Sequence, residues 1–319
     1  MAIVPASPAI AACLESLGEE PFALEGMVAR RDNSRVFRAR NSGQVIAIKE
    51  CFRPKTLIPD PATAEAEYKA LDSVARMTLL ASRSAIAPLP LILRREHGVY
   101  AMTWIGGRPA TDLLLSDGTL PAQAEALGAG AGAWLRHLHA MHPLPPRPGD
   151  YPTKLEFVNR LAEAAGDDMS LVRRAASILL ERASTAAAIA LPASWIHGDM
   201  KSDNLLVDDN RVMGLDLQLV DENTVAYDLA PFLNHLHLLR WSRRGLWRHR
   251  NLAVMAAAFL RAYSADTPHW CLPLAWLRVY LLLQRVAPGR GIRSFQASAR
   301  SWPARIELAS AVKDLARCP

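Results

Sequence analysis

Short apolar runs of strand length crowd the first hundred residues. Segments 22–30, 34–40 and 44–50 follow one another closely, and Asn41-Ser42-Gly43 between the last two is a hairpin signal. Residues 62–80 follow Pro59 and Pro61 and are helical in composition. Two further short segments, 89–94 and 99–104, flank Glu96-His97-Gly98. Gly106-Gly107-Arg108-Pro109 then breaks the pattern. A hinge here separates an N-terminal lobe, residues 1–105, from a C-terminal lobe, residues 106–319.

Beyond the hinge the period changes. Leu127, Ala131, Trp134, Leu135, Leu138 and Met141 recur at steps of three and four, one apolar face of a helix. The Pro-rich stretch 143–152 ends that helix. Leu229, Phe232, Leu233, Leu236 and Leu239 form a second face, and Leu252, Met255, Phe259 and Tyr263 a third. One island, 194–216, is not helical: two apolar runs, Leu205-Leu206-Val207 and Val212-Met213, flank an Asp208-Asp209-Asn210 turn. The expected fold is α+β, a small antiparallel sheet with one helix followed by a larger, mainly helical lobe.

Composition narrows the class. Half of the 319 residues are hydrophobic and 21% are charged, which excludes a mainly disordered chain. The four cysteines, Cys13, Cys51, Cys271 and Cys318, form no C-x-x-C pair, so the expectation is scattered reduced thiols. The start is apolar with no preceding basic residue, unlike a signal peptide, and residues 270–283 are interrupted by Arg278. A soluble cytoplasmic protein is expected.

The island carries the candidate chemistry: His197-Gly198-Asp199-Met200-Lys201-Ser202-Asp203-Asn204, then Gly214-Leu215-Asp216. Asp199 and Asn204 flank a loop, and Asp216 ends the second strand of the following hairpin. An amide and a carboxylate are hard oxygen ligands suited to Mg²⁺. A further carboxylate, free of metal, can accept a proton from a hydroxyl. Asp208, Asp209 and Asn210 are read as turn residues.

H-G-D-x-x-x-x-N followed by a strand ending in Asp resembles the catalytic and metal loops of the aminoglycoside phosphotransferase and choline kinase family, which has a protein-kinase-like fold. Ala226-Tyr227-Asp228-Leu229-Ala230 resembles the family's D-L-A helix start. Val45-Ile46-Ala47-Ile48-Lys49 is similar to the strand that carries the ATP-binding lysine, and Glu67 resembles its ion-pair partner, although Glu65 lies on the same helix. Asn33-Ser34-Arg35-Val36-Phe37 looks like the phosphate-covering hairpin, and the stretch 100–109, with Met102 and Trp104, like the hinge that holds the base.

The resemblance implies ATP or GTP with Mg²⁺ as cofactors and a small-molecule hydroxyl as acceptor: a sugar, an amino alcohol or an aminoglycoside-like compound. Lys49, oriented by Glu67, would hold the phosphates, and Asn33, Ser34, Met102 and Trp104 would contribute to the nucleotide site. Asn204 and Asp216 would hold Mg²⁺. Asp199 would accept or orient the acceptor hydroxyl, and Lys201 stands where many protein kinases contact the transferred phosphoryl. Two departures stand out. No glycine lies between Gly26 and Gly43, where Arg30, Arg31, Asn33 and Ser34 occupy the phosphate loop, and Asp216-Leu217-Gln218 lacks the D-F-G glycine.

Charge is unevenly spread. Residues 229–306 contain twelve arginines, no lysine and a single acid, Asp266, a net +11; the chain as a whole is +6, so the remainder is −5. The arginines are densest at 240–250. Such a region argues against a polycationic acceptor. Asp221 and Glu222 offer a local acidic counterweight. Two other readings are open: a non-catalytic kinase-fold protein that binds nucleic acid or acidic lipid through 240–250, and a protein kinase. The first predicts loss of one of Lys49, Asp199, Asn204 or Asp216, which are all present. The second lacks a recognisable A-P-E segment.

Overall fold

The computed structural model describes residues 7–18, 20–80, 86–165, 169–209, 211–219, 222–242, 244–286 and 295–318. Asn210, Asp221 and Arg243, singled out above, lie outside the described residues. The chain divides into two compact units, Met1–Gly107 with Leu206–Val220, and Arg108–Leu205 with Asp221–Pro319.

The first unit is built on an antiparallel sheet of β1 (Ala23–Arg30), β2 (Ser34–Arg40), β3 (Val45–Cys51), β4 (Pro90–Arg94) and β5 (Val99–Thr103), in the order β1-β2-β3-β5-β4. Alternation along β3 sends Ile46 and Ile48 to one face, where they pack with Phe37, Ala39, Val99 and Ala101. Lys49 lies on the other face, directly opposite Tyr100 of β5.

The strand pattern implies one helix in this region, and the structure has two. The expected one is α2 (Pro61–Leu80). The other, α1 (Pro8–Glu15), starts where the Ser7 hydroxyl accepts the Ile10 N–H and Pro8 follows the cap. Its Ile10 and Cys13 cover the apolar sheet face. Eight residues give too few turns for a helical period to stand out. The segment Leu206–Val220 joins this unit, and Gly214 N–H donates to Ile86 O at 3.0 Å. Gly107 has φ +100°, and a Cβ there would lie 2.5 Å from Val207 O, so no other residue fits this close approach.

The second unit is mainly helical: α3 (Ala110–Leu114), α4 (Pro121–Ala140), α5 (Pro152–Ala164), α6 (Ser170–Ala187), α7 (Ala226–Leu239), α8 (His249–Tyr263), α9 (Pro268–Val286) and α10 (Phe295–Arg317). A small sheet of β6 (Leu144–Pro148), β7 (Ala190–Trp195) and β8 (Glu222–Thr224) completes it, with β7 in the centre. The Pro-rich stretch after α4 is therefore not only a helix stop. Its prolines are tolerated because β6 is an edge strand. Helices α4 and α8 meet closely at Gly128 and Gly132, where a Cβ would lie 2.3 Å from the carbonyl oxygens of Met255 and Phe259.

The cysteines depart from expectation. Cys271 at the start of α9 is bonded to Cys318 just after α10, while Cys13 and Cys51 are buried free thiols. Packing of α10 on α9 brings together two residues 47 apart in sequence, a pairing that spacing alone does not reveal. Among the described residues no helix is long and apolar enough to cross a membrane.

Candidate active site

The first unit assembles one group of the expected residues. Lys49, 4% exposed, places Nζ 2.6 Å from Glu67 Oε2 and 2.8 Å from Asp216 Oδ1. An ammonium buried in an apolar strand is tolerable only with such partners. Burial alone would lower the Lys49 pKa, but the Asp216 and Glu67 carboxylates outweigh it and raise it, so the ammonium stays charged. Glu67 is the partner rather than Glu65, which pairs with Lys69 and Arg95. Tyr100, read only as the start of the hinge-like stretch, donates its hydroxyl to Glu67 Oε2 at 2.7 Å and fixes that carboxylate against Lys49. Its signal in the sequence is only its cross-strand position opposite Lys49.

Asp216 has a left-handed φ of +56°, a conformation that Asp tolerates better than most residues. Its second oxygen, Oδ2, lies 3.0 Å from Arg31 Nη1 in the turn between β1 and β2. Of the remaining expected nucleotide ligands, Asn33 is exposed in that turn, while Ser34 is buried at the start of β2, opposite Cys51. Met102 lies opposite Ala47 on the face of the sheet that carries Lys49. Trp104 follows β5, with the Arg38 guanidinium 5.0 Å from its ring centroid.

The second unit assembles the rest. Asp199 Oδ2 lies 2.5 Å from Lys201 Nζ and 3.0 Å from Asn204 Nδ2, and Asn204 Nδ2 also donates to Asp199 O at 2.9 Å. The loop is held from below by Asp228 in the first turn of α7. This carboxylate, fully buried, accepts the backbone N–H groups of His197 and Gly198 at 2.6 and 3.0 Å and meets His139 Nε2 at 3.0 Å. Gly198 has φ +85°, the bend that turns both N–H groups onto one carboxylate. His139 in turn meets the Tyr263 hydroxyl at 2.7 Å. Asp228 thus anchors the loop and does not cap α7, whose N-cap is Val225. His197 is buried and its Nδ1 accepts the Asp199 N–H at 3.3 Å, a structural role. A second tie runs from Thr111 of α3 through Ser202 to His235 of α7, at 2.6 and 2.9 Å.

Among the described residues no cluster of three or more His, Cys, Asp or Glu side chains forms a metal site. The donors on offer are one carboxylate, Asp216, and one amide oxygen, that of Asn204. Within its own unit each is a hard oxygen donor of the kind a divalent cation takes: Asp216 engages cations on both its carboxylate oxygens, and Asn204 is held through its amide nitrogen.

The chain matches the phosphotransferase enzyme family over residues 31–274, more than half its length. It belongs to that family. It is therefore a transferase of the small-molecule kinase kind, with a hydroxyl group as acceptor. The fold agrees with solved structures of the same protein-kinase-like architecture. A Ralstonia eutropha JMP134 protein provisionally named an aminoglycoside phosphotransferase is 16% identical, with 95% of each chain covered and a TM-score of 0.59. A Thermobifida fusca YX-ER1 protein provisionally named a fructosamine-3-kinase is 17% identical, covering 98% of this chain and 100% of that one, with a TM-score of 0.58. The streptomycin–ATP complex of APH(2")-IIa is 14% identical, covering 98% and 99%, with a TM-score of 0.56. No curated protein matches the chain significantly.

The arginine-rich segment changes meaning in three dimensions. Arg240 pairs with Glu307 at 2.5 Å, Arg248 with Asp117 at 3.2 Å, Arg261 with Glu125 at 2.8 Å, and Arg278 lies 3.9 Å from Asp314. All four acids come from outside residues 229–306. The block of positive charge in the sequence is thus partly neutralised by carboxylates from outside it, and its +11 is no measure of the local field. Arg244 and Arg248 line an open cavity of about 560 Å³ that also contains Asp117 and Trp247.

Proposed function

We propose that this phosphotransferase moves the γ-phosphoryl group of ATP or GTP, with Mg²⁺, to a hydroxyl of a sugar, an amino alcohol or an aminoglycoside-like compound. The observation that carries the reading is the buried Lys49 ammonium held between Glu67 and Asp216. A cation so placed is charged and fixed before substrate arrives, which is what binding a polyphosphate requires. Mg²⁺, when bound, would neutralise phosphate charge, with Asp216 and Asn204 as its protein ligands. Asn33, Met102 and Trp104 line the turn and sheet face assigned to the nucleotide. Ser34 is buried, and its carbonyl oxygen accepts the Arg31 N–H of that turn at 2.8 Å.

Asp199 accepts or orients the acceptor's hydroxyl proton. Its carboxylate is held by the Asn204 amide and paired with Lys201, so it is aimed rather than mobile. Lys201 can follow the transferred phosphoryl as charge develops on it. Pairing of the arginines at 240, 248 and 261 with acids from outside the segment weakens the argument from charge against a polycationic acceptor but leaves the segment basic. A nucleotide-consumption screen over sugars, amino alcohols, nucleosides and aminoglycosides tests the reading. Turnover should appear with at least one class and vanish in Asp199→Ala and Asp216→Ala. Turnover retained in both folded variants would sink the mechanism.

A further inference from the structure

We infer that Arg31 is a ligand of the nucleotide's phosphates, an assignment that rests on the nucleotide-binding reading above. Phosphate loops commonly use glycines, so that backbone N–H groups can approach the phosphate oxygens. The turn between β1 and β2 has none, since no glycine lies between Gly26 and Gly43. What it offers is a guanidinium on a fixed base. Arg31 N–H donates to Ser34 O at 2.8 Å, Phe52 N–H to Asn33 O at 2.7 Å and Lys55 N–H to Asp32 O at 3.2 Å. These bonds tie the turn to itself and to the chain after β3.

The Arg31 side chain, 41% exposed, reaches Asp216 Oδ2, while Lys49 takes Oδ1. The two cations are not equivalent. Lys49 is buried between Glu67 and Asp216, whereas Arg31 is at the surface of the unit and within 3.0 Å of the carboxylate assigned to the metal. With a divalent cation bound at Asp216, the Arg31 guanidinium would be repelled from that carboxylate. A polyphosphate offers the same kind of oxygen acceptor in its place, and the planar fork of arginine matches it. Arg31 thus exchanges a carboxylate for phosphate oxygens and supplies by charge what the glycine-free turn does not supply by backbone.

The test is equilibrium calorimetry of ATP, GTP, adenosine and guanosine, with Mg²⁺, on wild type, Arg31→Ala and Arg31→Lys. Arg31→Ala should bind the preferred triphosphate roughly ten- to hundredfold more weakly, the range of a charge-assisted hydrogen bond. Its nucleoside affinity should stay at the wild-type value, which also shows that the variant is folded. Arg31→Lys should recover part of the loss. Unchanged or tighter triphosphate binding in Arg31→Ala overturns the assignment, because Arg31 would then only compete with the metal for Asp216. Equal losses for nucleoside and triphosphate also overturn it. Wild type that binds no nucleotide at all removes the nucleotide reading itself and this assignment with it.

Discussion

Asp228 Oδ2 accepts the backbone N–H of His197 at 2.6 Å, so one buried carboxylate on α7 sets the position of the loop that carries Asp199. Burial raises the Asp228 pKa, but His139, His197 and the Gly198 N–H outweigh it and hold it below the usual carboxylate value. A group depressed in the folded state stabilises the protein above its unfolded pKa. That stability should fade as pH falls below about 4 and through the folded value. Asp228→Asn keeps the shape but gives up the charge. It should cost about 2–4 kcal/mol at neutral pH, read by urea unfolding, and flatten the acid limb of the stability curve. An acid limb as steep as wild type would show that Asp228 is not its source.

Asp199 and Lys201 share a 2.5 Å ion pair, and variants of both should act mainly on kcat. Asp199→Ala removes the proposed proton acceptor and should lower kcat by about 10²–10⁴-fold with little change in nucleotide affinity. Lys201→Ala removes a cation assigned to the transferred phosphoryl, and it too should lower kcat more than it raises KM. A change confined to KM would place Lys201 in ground-state binding alone.

Glu67 and Glu65 offer a contrast within one helix. Two residues of helix turn the side chains by about 200°, so only one of them can face the sheet. Glu67 does, against Lys49 and Tyr100. Glu67→Gln should cost about 1–3 kcal/mol of stability, since it weakens the pairing of a buried ammonium, and should weaken triphosphate binding. Glu65→Gln breaks only surface pairs and should leave both at wild-type values. Equal effects from the two variants would remove the Lys49–Glu67 pair from the site.

The same two glutamates show what the sequence can and cannot say. A lysine inside Val45-Ile46-Ala47-Ile48-Lys49 announces a need for a partner, because burial without one is too costly. Which glutamate meets it depends on helix phase against the sheet, which no local pattern states. The Asp199-to-Asn204 loop was legible because its residue types are unusual together. Of its support only Asp228 stood out, in the D-L-A segment; its partners His139 and Tyr263 did not, since the three are far apart in sequence and meet only when α4, α8 and α7 pack. Likewise the arginines of 229–306 read as one basic block, because Asp117 and Glu125 lie elsewhere in the chain and Glu307 falls just past its end.

The Cys271–Cys318 bond gives the most direct check on the packing of the last two helices. Thiol titration of the denatured, unreduced protein should find only Cys13 and Cys51 reactive, and all four cysteines after reduction. The bridge closes a long loop, so chain entropy predicts about 2–4 kcal/mol of stabilisation, lost on reduction or in Cys271→Ser. The residues assigned to nucleotide and to proton transfer lie in other elements, so catalysis at temperatures well below the melting point should survive that loss. Four reactive thiols in the unreduced protein would mean that α9 and α10 are held by packing alone.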